Sequence, residues 1–217
     1  MHEYGLNHSW SEHVADGVMH ALGLAFAVAG ASALVVWAAL TLPPEWVWAI
    51  VAYAVGLIAT FSLSAAYNMT LHAKIRAVLR RFDHAAIYLM IAGSYTPMAV
   101  IGLGGGRGLA LAIAAWALAA FGMVMKLAWF HRCTRLGFAL YLAQGWLGIL
   151  AIWPMIEAFP PAALILVLAG GVTYTAGTYF LNSGRRYAMA IWHGHVLAAS
   201  AIHYAAIILV AAAASGG

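Results

Sequence analysis

The stretch VMHALGLAFAVAGASALVVWAALTL, residues 18–42, holds 25 residues without one acidic or basic side chain other than a single histidine. A helix of this length rises about 37 Å at 1.5 Å per residue, more than the roughly 30 Å of hydrocarbon in a bilayer. The run is too long for the apolar region of a signal peptide, and Pro43-Pro44 ends it. It therefore predicts a transmembrane helix with which the fold begins.

The rest of the chain has the same apolar character. Of its 217 residues, 65% are hydrophobic and 7% are charged, whereas a soluble domain has about 25% charged residues. Such a chain cannot cover a water-facing surface, which excludes a soluble protein. The net charge of +4 comes from loop residues, so we expect no nucleic-acid partner. Its single cysteine, Cys133, excludes an internal disulfide and a cysteine-rich zinc site.

Seven apolar runs are long enough to cross a bilayer. The breaks between them contain Pro-Pro pairs, glycines or basic sequences such as KIRAVLRR, residues 74–81. The pattern predicts an all-α, polytopic seven-transmembrane helix bundle that forms a single domain over residues 1–217. The predicted spans are 17–42, 46–71, 82–103, 108–130, 136–157, 161–181 and 186–212.

The basic residues predict how the bundle is oriented. Nine of the ten lysines and arginines fall at the breaks on one side, and only Arg107 falls on the other. The positive-inside rule makes the first side cytoplasmic. We therefore expect a multi-pass protein of the inner (plasma) membrane, with its N-terminus in the cytoplasm and its C-terminus outside.

Polar residues gather near the cytoplasmic ends of spans 1, 2, 3 and 7. Ser64, Asn68 and His72 follow one another at intervals of four, which places them on one face of span 2. Asp83 lies about one turn into span 3, where an ionisable group is costly without a partner. These positions predict a polar intramembrane pocket formed by His20, Ser64, Asn68, Asp83 and His193.

Structural roles are the alternative for each of these residues. Ser64 can bond to the carbonyl four residues earlier, and Asp83 can pair with Arg80, Arg81 or His193. On span 7, His193 and His195 point about 200° apart, and His203 lies about 15 Å deeper in the membrane. These three histidines cannot share one metal ion, and we expect His203 to pair with a polar group of span 6, such as Thr173 or Thr175.

Four segments resemble a known family. FDHAAIYLMIAGSYTP, residues 82–97, resembles the third-span signature of the hemolysin III proteins of the progestin and adipoQ receptor family. EHVADGVMHALG (12–23), SAAYN (64–68) and IWHGHVLAASAIHY (191–204) are similar to its spans 1, 2 and 7. The resemblance implies a zinc site near the cytoplasmic side, with one histidine from span 2 and two from span 7. An aspartate of span 3 would hold a zinc-bound water, as in related alkaline ceramidases that hydrolyse lipid amides.

Only part of that implied site is present in this chain. Ser64 and Asp83 match the family's positions and would be catalytic if the protein is an enzyme, and His193 matches one span-7 histidine. Asn68 and Met189 stand at the other two ligand positions. An amide and a thioether suit zinc poorly, so the residues predict a degenerate metal site without a bound cofactor.

Two alternatives remain for a metal and for the function. Zinc could still bind to a shifted set formed by His20, His72 and His193 with Asp83. The expected function is that of a non-catalytic hemolysin III-like protein in membrane-lipid homeostasis or sensing, with membrane lipid as its partner. The first alternative is a zinc-dependent lipid amide hydrolase, and the second is a transporter or proton-coupled carrier in which Asp83 and the histidines relay protons.

Overall fold

The computed structural model describes residues 9–132, 134–181 and 183–216, and this part of the chain contains helices and no strand. Seven of its helical segments are long and apolar enough to cross a membrane. This confirms the predicted all-α, seven-span class. Helices are the expected solution, because in hydrocarbon each backbone N–H and C=O must find its partner within the protein. The spans are Trp10–Thr41, Pro44–Met69, Ala73–Leu103, Gly105–Ala128, Arg135–Ala158, Pro161–Leu181 and Ala188–Ser215.

The predicted start of span 3 is wrong by nine residues. The KIRAVLRR run, expected to be a loop, forms the first turns of the helix that begins at Ala73. Lysine and arginine are good helix formers, and their long side chains can reach the membrane interface from within a helix. Cation–π contacts also stabilise these side chains. The guanidinium group of Arg76 lies 5.1 Å from the ring centroid of Tyr67, and that of Arg80 lies 5.1 Å from the ring centroid of Phe130.

The helix ends that carry most basic residues lie together at one end of the bundle, here called the basic end. Spans 1, 3, 5 and 7 begin there, and spans 2, 4 and 6 end there. Arg81, near the start of span 3, donates to the Leu127 carbonyl at the end of span 4 over 3.4 Å. The Tyr187 N–H, just before span 7, donates to Glu12 of span 1 over 2.8 Å. The last span therefore lies beside the first.

Spans 2 and 3 pack closely because each presents a glycine to the other's backbone. A Cβ added to Gly93 would lie 3.0 Å from the Ala52 carbonyl oxygen, and one added to Gly56 would lie 3.2 Å from the Leu89 carbonyl oxygen. Small residues permit this close approach, which increases van der Waals contact between the helices. Such contact matters in lipid, because the hydrophobic effect does not drive helices together there.

We expect Gly93→Val to destabilise the bundle, because the new side chain would push spans 2 and 3 apart. Overpacking of this kind costs about 1–3 kcal/mol. The measurement is the unfolding midpoint of the purified protein in detergent. Gly106→Val is the matched control, since nothing lies within 4 Å of a Cβ added there. Equal midpoints for the two variants would contradict close packing at Gly93.

Span 5 is broken, although its sequence predicts one continuous helix over residues 136–157. An α-helix ends at Gly145, a 3-10 segment covers Leu147–Ala151, and a short α-helix follows over Ile152–Ala158. Tyr95 of span 3 repairs the break: its hydroxyl donates to the Gly145 carbonyl over 2.9 Å and accepts from the Gly148 N–H over 2.8 Å. Non-helical backbone is tolerated at membrane depth only when the protein satisfies it in this way.

Tyr95→Phe should destabilise span 5, since it removes the partner of both backbone groups. An unsatisfied buried polar group costs about 1–3 kcal/mol. Increased proteolysis or hydrogen exchange around Gly145–Gly148, together with a lower unfolding midpoint, would show the effect. Tyr179→Phe is the control, because Tyr179 is a largely exposed aromatic residue of span 6. Indistinguishable exchange in the two variants would refute the role of the Tyr95 hydroxyl.

Candidate functional site

Asp16, His20 and His193 form a compact buried cluster near the basic end. Asp16 and His20 lie one turn apart on span 1, and His193 comes from span 7. The Nδ1 atom of His193 lies 2.5 Å from Oδ1 of Asp16, and Nε2 of His20 lies 3.4 Å from Oδ2. The two imidazole rings are 4.3 Å apart between centroids. One potential ligand atom from each residue lies within 4.8 Å of the others, so the structure contains a possible metal-binding triad.

The local sequence explains why the cluster forms. Glu12, Asp16 and His20 recur at intervals of four and therefore share one face of span 1. Glu12 accepts a hydrogen bond from the Tyr187 N–H, which turns this face toward the start of span 7. His193 then lies opposite Asp16, and the carboxylate is 2% exposed. A buried carboxylate is stable only when it is paired, and His193 provides the hydrogen bond.

The polar contacts of the remaining predicted pocket residues lie outside the triad. Asn68 is buried and donates to the Ser64 carbonyl over 3.0 Å, with the Ser64 hydroxyl oxygen 3.4 Å away. The Oδ2 atom of Asp83 lies 3.3 Å from Nδ1 of His84, its neighbour in the chain. The structure thus brings His20 and His193 together. Within the described residues, no hydrogen bond or ion pair joins either histidine to Ser64, Asn68 or Asp83.

Three further histidines lie apart from the triad. His72 is exposed in the turn before span 3, where its ring accepts from the Ile75 N–H at 3.5 Å. His195 bonds to the Ile191 carbonyl of its own helix over 2.8 Å. His203 donates to the Val167 carbonyl of span 6 over 3.2 Å, so its partner is a backbone group rather than Thr173 or Thr175.

Asp16 is the residue that sequence reasoning left out of the pocket. The signal was present, because Asp16 and His20 are four residues apart and share a helix face. What the sequence does not reveal is that span 7 lies against this face. The pairing of Asp16 with His193 joins residues 177 positions apart.

The zinc site implied by the resemblance does not fit the residues found at its positions. Asn68 uses its amide to bond within its own helix, and Met189 offers only a half-buried thioether. Zinc sites in proteins are formed by imidazole, thiolate and carboxylate ligands. Of the three positions, only residue 193 keeps such a ligand.

A cavity of about 190 Å³ lies between spans 2, 3, 5, 6 and 7. Most of its wall area is apolar, and the lining residues that carry a hydroxyl or imidazole group are Thr60, Ser94, Tyr95, Tyr141, Tyr174, Thr175, Thr178 and His203. Two lining residues also face outward: Ile149 is 55% exposed and Leu168 is 46% exposed. The cavity therefore opens sideways between spans 5 and 6, beside the break in span 5. Trp146 and Thr175 both line the cavity, and the Trp146 indole N–H donates to the Thr175 hydroxyl over 3.1 Å.

The seven long apolar helices define a multi-pass membrane protein. Residues 8–204 match the family described as "Haemolysin-III related", and the chain belongs to this family. It is 31% identical over 198 residues to "Hemolysin-3" of Bacillus cereus, covering 91% of this chain and 90% of the relative. It is 30% identical over 199 residues to the "Hemolysin-3 homolog" of Bacillus subtilis (strain 168), covering 91% and 93%. The human "Monocyte to macrophage differentiation factor" is 28% identical over 208 residues, covering 90% of this chain and 83% of the relative.

A double-mutant cycle on Asp16 and His193 measures how strongly spans 1 and 7 are joined. We expect His193→Ala to be more destabilising than His193→Ala combined with Asp16→Ala, because the single change strands a buried carboxylate. Hydrogen bonds to charged groups contribute about 1.5–3 kcal/mol, and the coupling free energy should be of this order in the presence of a chelator. His195→Ala is the control on the same helix. Additive effects of the two changes would show that the contact contributes no coupling free energy.

Proposed function

We propose that this protein binds a membrane lipid within its helix bundle and acts in membrane-lipid homeostasis or sensing rather than in lipid hydrolysis. We place it in the plasma membrane with the basic end in the cytoplasm, following the positive-inside rule. The observation that carries the proposal is the apolar cavity that opens between spans 5 and 6.

Most of the wall area of the cavity is apolar. An apolar cavity of about 150 Å³ stays free of water and takes up an apolar ligand, and this one has about 190 Å³. Because Ile149 and Leu168 border it and are also exposed, its opening faces the region that lipid chains occupy. Hydrocarbon is the apolar ligand available there, so a segment of an acyl chain is the fitting occupant.

The residues at the family's ligand positions support binding without hydrolysis. A zinc-dependent amidase needs three protein ligands and an open position for water. Asn68 and Met189 do not provide two of those ligands, and Asp83 is paired with His84. Most of the wall area of the cavity is apolar, and none of its described lining residues is acidic, which disfavours a proton-conducting carrier as well.

Photo-cross-linking with a diazirine-bearing phospholipid tests the proposal in nanodiscs. We expect labelled peptides to include the residues that border the opening, Ile149 and Leu168. Gly171→Phe should reduce labelling, because a Cβ at Gly171 lies 3.6 Å from the Trp146 ring and the phenyl group would fill the cavity. If Gly171→Phe weakens lipid binding tenfold, the binding free energy falls by about 1.4 kcal/mol.

Gly106→Phe is the matched control, since nothing lies within 4 Å of a Cβ added at that glycine. It should label as the unmodified protein does. Labelling spread evenly over all lipid-facing helices, and equal in both glycine variants, would refute lipid binding in the cavity. Release of fatty acid from an added lipid amide by the purified protein would refute the non-hydrolytic part of the proposal.

A further inference from the structure

The triad of Asp16, His20 and His193 has the composition of a metal site, and it differs from the site that the family resemblance implies. Two imidazoles and one carboxylate are a donor set that first-row divalent ions use, zinc among them. Its ligands come from spans 1 and 7, whereas the implied site uses spans 2 and 7. His193 is the one residue common to both sets.

The distances allow the three side chains to close on one ion. Two ligand atoms bound to the same tetrahedral zinc lie about 3.3 Å apart when each bond is about 2.05 Å. The potential ligand atoms of the triad already lie within 4.8 Å of one another. Nε2 of His20 and Oδ2 of Asp16 are 3.4 Å apart. Nδ1 of His193 and Oδ1 of Asp16 are only 2.5 Å apart, so their hydrogen bond would open as small side-chain rotations bring the three groups onto one ion.

One polar atom of the cluster has no hydrogen-bond partner within the described part of the chain. Nε2 of His20 is buried, and no hydrogen bond to the described residues satisfies it, while the residue as a whole is 4% exposed. Buried polar atoms are nearly always paired, and each exception in a native structure calls for an explanation. This nitrogen faces the Asp16 carboxylate with a geometry that a shared cation would satisfy.

Charge supports the same conclusion. Asp16 is 2% exposed and has two imidazoles beside its carboxylate; a divalent ion held among the three would place positive charge next to a buried anion. This chain therefore has a carboxylate at the position where the two imidazoles converge. The same chain lacks histidine at positions 68 and 189.

We propose that Asp16, His20 and His193 bind a first-row divalent transition ion, for which Zn²⁺ is the probe, and that the ion clamps span 1 to span 7 at the basic end. An ion that binds only the folded bundle stabilises it by mass action. The proposal does not depend on lipid binding in the cavity, because His193 and Asp16 do not line it.

The test uses the full chain, purified in detergent through an affinity tag without histidine, stripped with a chelator and dialysed. After Zn²⁺ is added and the excess removed, elemental analysis should find stoichiometric zinc, and the unfolding midpoint should rise. Asp16→Asn, His20→Ala and His193→Ala should each abolish both effects. His72→Ala and His195→Ala are controls that should retain both, since neither residue belongs to the triad.

Variants at the family's ligand positions separate this proposal from zinc binding at those positions. Asn68→Ala and Met189→Ala should leave the zinc content unchanged. Loss of zinc in either of them, with zinc retained in Asp16→Asn, would place the ion with spans 2 and 7 and overturn the proposal. Absence of zinc from the unmodified protein would overturn it as well.

X-ray absorption at the zinc edge of the unmodified protein needs no variant and is unaffected by any folding defect. The triad predicts a first coordination shell of nitrogen and oxygen only. A sulfur neighbour would indicate a methionine or Cys133 and would refute the assignment.

Discussion

The lack of hydrogen-bonding partners in hydrocarbon is the constraint on which the rest of this structure depends. It selects helices for every span, and it requires each departure from a helix to be satisfied inside the protein. Tyr95 meets this requirement at the break in span 5, where its hydroxyl donates to one backbone carbonyl and accepts from one backbone N–H. Gln144 is buried beside the break and donates to the carbonyls of Tyr88 and Ala115. The irregular segment can therefore border a cavity without leaving the fold unstable.

The same constraint organises the polar site. A buried carboxylate on span 1 requires a partner from a neighbouring helix, and His193 provides it. Positions 68 and 189 carry no imidazole, while the carboxylate at position 16 lies close to the imidazoles of His20 and His193. The polar centre thus lies between the first and last spans, and its chemistry depends on their contact.

Sequence reasoning predicts those features that depend on local pattern. The seven spans follow from apolar runs, and the opposite orientations of His193 and His195 follow from helical geometry; one is buried against span 1 and the other bonds within its own helix. The start of span 3 was missed because basic residues suit both a helix and a loop. The break in span 5 was missed because its partner, Tyr95, lies 50 residues from Gly145. Pairing between distant helices is a tertiary property that no local pattern contains.

The contact between Asp16 and His193 also has a consequence for how the chain enters the membrane. The two residues are 177 positions apart, and at a synthesis rate of about 5–20 residues per second the histidine follows the aspartate by roughly 10 to 35 seconds. During that interval Asp16 has only His20 of its own helix beside it. The hydrogen bond that joins the first and last spans therefore forms at the end of synthesis and not when span 1 first enters the membrane.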